Sequence, residues 1–108
     1  MRVLFDQGTP IAIREHLSDH EVATVFERGW STLQNGELLR VAENAGFDVL
    51  LTTDTNLPYQ QNLQGRKIAV VVLSKNRWSL VQQAIPAIVA SVDSAIAGTF
   101  SVVEVPAS

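Results

Sequence analysis

Ile68-Ala-Val-Val-Val-Leu73 contains no polar residue. A strand with one wet face alternates apolar and polar side chains, whereas an unbroken apolar run has both faces buried. Such a strand belongs in the middle of a parallel sheet covered by helices on each side. Val3-Leu-Phe5 and Val49-Leu-Leu-Thr52 have the same character. Helical or turn-like segments separate these runs. Thr9 is placed as an N-cap with Pro10 at the first helical position, predicting a helix to about Leu17. Glu21–Phe26 alternates and is rich in valine, so it predicts a second strand. Asn35-Gly36 is expected to cap a helix from Glu37 to Ala45, with Leu38, Leu39, Ala42 and Ala45 inward and Gly46 as its stop. A short helix or turn is expected over Leu57–Leu63. Val81, Ile85, Ile88, Val89, Val92 and Ile96 recur at helical spacing, and Pro86 must kink that helix or begin its second part. Gly98 ends it, and Phe100–Val105 is a last strand. The order β-α-β-α-β-α-β-α-β predicts an α/β fold: a parallel-sheet, three-layer α/β/α sandwich in one domain, residues 1–108.

Composition narrows the function classes. The 108 residues match one domain, and 46% apolar content suits a packed core. No apolar stretch reaches the roughly 18 residues of a membrane span. The N-terminus has neither a basic flank nor a long apolar region, so a cytoplasmic location is the expectation. Cysteine is absent, which rules out disulfides and thiolate metal sites. A formal net charge of −3 argues against non-specific coating of nucleic acid, which rests on many Lys/Arg–phosphate contacts. It leaves open an enzyme that meets nucleic acid through metal ions.

Chemistry is expected where strands end. In parallel sheets ligands bind outside the carboxyl ends of the strands. Asp6 follows the first strand and Asp54 the third, so both should face one space, where they repel unless a cation or a proton holds them. Glu37 lies in a first helical turn, where the helix dipole favours a carboxylate. Each acid also has an ordinary structural explanation, as a loop cap or a helix stabiliser. Taken together, Asp6, Glu37 and Asp54 suit Mg²⁺ or Mn²⁺, which take oxygen ligands and retain water. Gln7, Asn35 and Asn56 are possible site-lining amides, although Asn35 also fits an N-cap and Asn56 a turn former. Ser74, Lys75 and Arg77 follow the fourth strand and could grip a phosphate, with Trp78 either stacking on a base or packing under the last helix. No Gly-rich phosphate loop is present.

Leu4-Phe-Asp6, Thr9-Pro10, Asn35-Gly-Glu37-Leu-Leu and Leu51-Thr-Thr-Asp54-Thr-Asn56-Leu57 together resemble the short, poorly characterised branch of the PIN-like superfamily. The resemblance spans essentially the whole chain, and Thr-Thr-Asp-x-Asn is its most specific part. It implies a Mg²⁺/Mn²⁺-dependent endoribonuclease, with Asp6, Glu37 and Asp54 at the metal and in catalysis. It also implies RNA as substrate and, for toxins of toxin–antitoxin pairs, a small antitoxin or regulatory protein as partner. The chain carries Asn35 and Gln7 where that pattern often carries acids, and Asn56 is the nearest substitute for a fourth acid. Two alternatives stand beside it. One is a non-catalytic PIN-like module that binds a protein. The other is a receiver-like signalling domain with Asp54 as phospho-acceptor, which lacks both a second acid after Asp6 and a lysine after the last strand. The alanines of the last helix, with only 18% charged residues in the chain, predict a homodimer or a complex with a small partner.

Overall fold

In the computed structural model, which describes residues 1–108, five strands form one sheet in the order β2-β1-β3-β4-β5. They are β1 (Arg2–Phe5), β2 (Glu21–Thr24), β3 (Val49–Thr52), β4 (Ala69–Leu73) and β5 (Phe100–Val103), and every neighbouring pair is parallel. Every residue of β3 and β4 is buried. Side chains alternate across a strand, so the apolar runs supply two cores. Val3, Phe5, Leu51, Val71 and Leu73 pack on one face with Ile13, Val81, Ile88 and Val92. Leu4, Leu50, Val70 and Val72 pack on the other with Leu38, Leu39, Ala42 and Leu57. The parallel α/β sandwich is therefore present.

Element boundaries depart from expectation where local bonds compete. Residues Ile11–His16 form a 3-10 helix behind Pro10, closed by bonds such as Ile13 N–H to the Pro10 carbonyl. Thr9 does not cap it, because its hydroxyl donates to the Leu51 carbonyl at 3.1 Å and ties the loop to β3. Helix α1 covers Asn35–Asn44, with Gln34 in the N-cap position and Asn35 already helical. Helix α2 is the single turn Leu57–Gln60. Pro86 cannot donate to the Gln82 carbonyl, and the last helix divides there. Trp78–Val81 (α3) leads through a 3-10 turn, Gln82–Ala84, into α4 (Ile85–Asp93), with Pro86 in its first turn. Strands β2 and β5 are each two residues shorter than expected. No helix is long and apolar enough to cross a membrane.

The connections are not all of one hand. The step from β1 to β2 runs one way along the sheet, and the three later steps run the other way. Equal handedness would put the first connection on one face and the other three on the opposite face. Helices α1 and α2 obey this, but α3 and α4 share the face of the first 3-10 helix. The β4-to-β5 connection is thus opposite in hand to the rest. Consequently no helix from that connection lies over β5 on the α1/α2 face.

Candidate functional site

The strand order reverses between β1 and β3: the chain leaves β1 toward β2 and returns to lay β3 on the other side. Such a switch point opens a crevice at the carboxyl ends of the strands. Asp6 is the first residue after β1, and Asp54 lies two residues beyond β3. The register pairs Phe5 with Leu51, and Asp6 N–H donates to the Leu51 carbonyl at 2.9 Å, so the two loops emerge side by side.

Thr52 joins them. It is the one buried polar residue of the core, at 0% exposure. Its hydroxyl donates to Asp6 Oδ2 at 2.8 Å and accepts the Asp54 N–H at 3.1 Å. One hydroxyl therefore orients the first acid and fixes the backbone of the second. The side-chain amide of Asn35 donates to Asp54 Oδ2 at 2.9 Å, linking the start of α1 to the same cluster. This overturns the N-cap role expected for Asn35, since its side chain turns to a carboxylate rather than to its own helix. Asn56 N–H donates to Asp54 Oδ1 at 3.0 Å, and Gln7 N–H to Asp6 Oδ1 at 2.9 Å. Asn56 and Gln7 thus serve the site through the backbone. The turn is tight: a Cβ added at Gly8, where φ is +85°, would stand 3.0 Å from Thr53 Oγ1.

The electrostatics are those of an anionic pair. Burial pushes the Asp6 carboxyl above its ordinary value, hydrogen bonds from Thr52 and Gln7 pull it back, and the Asp54 carboxylate pushes it up again. Neither Asp6 nor Asp54 forms an ion pair with Lys, Arg or His. Each of the four carboxylate oxygens accepts one hydrogen bond within the chain. A carboxylate oxygen has capacity for a second partner, so every one retains an acceptor direction. The two carboxylates offer hard oxygen donors of the kind Mg²⁺ and Mn²⁺ use while keeping several waters.

The remaining expected residues are not drawn into this network. Glu37 is exposed in the first turn of α1, and no three acidic or histidine side chains are grouped to hold a metal ion. Ser74 uses its hydroxyl to accept Val105 N–H at 2.7 Å, which ties the C-terminal segment to β4. Lys75 and Arg77 are exposed and unpaired, and Trp78 packs against the core beside His16. Thr52 was missed as a site residue. Its signal was present all the same, as the lone polar side chain at the carboxyl end of an otherwise apolar strand. No protein-family model, curated protein or solved structure matches the chain.

Proposed function

We propose that this chain is a PIN-like, divalent-metal-dependent endoribonuclease. The supporting observation is the pair Asp6 and Asp54, held by one buried threonine at the switch point with no cationic side chain to neutralise them. The resemblance of Thr52-Thr-Asp54-Thr-Asn56 to the PIN-like pattern supplies the reaction class. Asp6 and Asp54 would hold the ion, and Glu37, two positions from Asn35, is the third acid of this proposal. A bound Mg²⁺ or Mn²⁺ supplies charge stabilisation and an activated water for in-line phosphodiester hydrolysis. The chain's own groups prepare for it. Thr52 orients Asp6, Asn35 and the Asn56 N–H orient Asp54, and burial keeps Asp6 in need of a positive partner. Lys75 and Arg77, exposed in the loop after β4, would meet an RNA phosphate in this proposal.

Two carboxylates that leave room for bound water suit either Mg²⁺ or Mn²⁺. Purified protein should cleave single-stranded RNA slowly in millimolar Mn²⁺. Asp54→Asn should reduce cleavage to background, and Asn35→Ala, which removes a partner of Asp54 rather than a ligand, should reduce it about 10–100-fold. Wild-type protein inert toward a broad RNA panel with either ion would favour the non-catalytic PIN-like module. A small antitoxin-like partner and a cytoplasmic location belong to the same proposal. The receiver alternative shares the 2-1-3-4-5 strand order, but Ser74 is occupied by Val105 and no lysine follows β5.

A further inference from the structure

The two edges of the sheet are finished differently. At β2 the backbone groups of Val22 and Thr24 point away from β1. Arg14 donates to the Val22 carbonyl at 3.5 Å, Glu27 accepts Thr24 N–H at 2.9 Å, and Arg28 N–H donates to the Thr24 carbonyl at 3.1 Å. The Arg14–Glu27 pair, 2.5 Å apart, closes across this edge. An edge blocked in this way does not accept another strand.

Nothing comparable guards β5. Val70 N–H bonds to the Thr99 carbonyl and Ser74 N–H to the Val103 carbonyl, which fixes the strand's phase. Ser101 and Val103 therefore face β4, while the N–H and C=O groups of Phe100 and Val102 point outward without a partner in the chain. The side chains of Phe100 and Val102 lie on the face that the oppositely handed last connection leaves bare, and they are 41% and 42% exposed. Tyr59 stands edge-on to Phe100 at 5.7 Å and is 75% exposed, and Ile96 flanks the start of the strand. Four of the seven exposed large hydrophobic side chains thus gather at this edge.

We propose that β5 pairs antiparallel with β5 of a second copy, across a two-fold axis beside Ser101. Centring the pair there sets Phe100 opposite Val102 of the other copy, so outward N–H groups meet outward carbonyls in both directions. The axis stands perpendicular to the sheet and keeps equivalent faces on one side. The bare strips of Phe100, Val102 and Tyr59 from both copies then become one continuous apolar surface. Charge does not oppose this occupant. Ala95–Val103 contains no charged residue, so identical strands meet without repulsion although each molecule carries −3. The interface is strand addition, not the alanine-bearing outer face of α4.

Sedimentation equilibrium of the full chain, over about 1–100 µM, tests it. The wild type should show a dimer mass that dissociates on dilution. Val102→Pro removes only an outward N–H and should give a monomer with unchanged circular dichroism. Phe100→Lys is the second variant and should do the same, while Ala90→Lys on α4 should remain dimeric. Hydrogen exchange of the wild type should slow at the Phe100 and Val102 amides as concentration rises. A wild type that stays monomeric throughout, a dimer surviving both β5 variants, or a dimer broken only by Ala90→Lys would overturn the proposal.

Discussion

A single hydroxyl decides the geometry of the candidate site. Replacing Thr52 by valine keeps the volume of the side chain but leaves Asp54 N–H without an acceptor and Asp6 Oδ2 without a donor. Loss of a buried partner of this kind costs about 1–3 kcal/mol. Thermal denaturation of Thr52→Val should show a melting temperature several degrees lower, and an unchanged value would mean that the valine fully compensates. Asp6 carries the opposite sign. Its carboxyl is raised in the folded state, so its contribution to stability is complete below the unfolded value and is lost as pH climbs through the folded one. Asp6→Asn should therefore be more stable than wild type at neutral pH without metal, with the advantage fading toward about pH 4. An advantage constant with pH would contradict the burial argument. At this scale the sequence was informative about the acids and ambiguous about the amide, which fitted both a site-lining role and a helix cap. Asp6 and Asp54 were legible because strand ends place them. Asn35 was not, because asparagine before a helix serves equally as a cap, and only the fold brings Asp54 to it.

Between elements, specific polar contacts join what the apolar runs merely bring near. Glu43, in the last turn of α1, pairs with Arg66 Nη1 and accepts Lys67 N–H at 2.8 Å, so α1 is fastened to the chain entering β4. Arg66 is largely buried, and its Nε already lacks a partner. Glu43→Ala would strand the guanidinium and an amide together. Because hydrogen bonds to charged groups are worth about 1.5–3 kcal/mol, urea denaturation should show a lower midpoint with an unchanged slope. A midpoint equal to wild type would show that the pair is solvated and contributes nothing. All five strands were legible from unbroken or alternating apolar runs. Helix details were less so. Thr9 satisfies the composition of a cap, yet a β3 carbonyl lies nearer to its hydroxyl, and that competition arises only once β1 and β3 are adjacent.

For the molecule as a whole, strand order and hand were the parts that sequence did not contain. Val70 and Val72 on one face of β4 and Val71 and Leu73 on the other are equally apolar. Nothing in that pattern says which side α3 and α4 must cover. Their placement beside the first 3-10 helix leaves β5 bare on the α1/α2 face. The two carboxylates at the switch point between β1 and β3 are proposed as a cation site, and the proposed RNA hydrolysis depends on it. Calorimetric titration of Mn²⁺ into the wild type and into Asp6→Asn/Asp54→Asn, at neutral pH and low salt, tests it most directly. A saturable heat at millimolar metal in the wild type that is absent from the double variant is the expected result. Indistinguishable heats from the two proteins would contradict it.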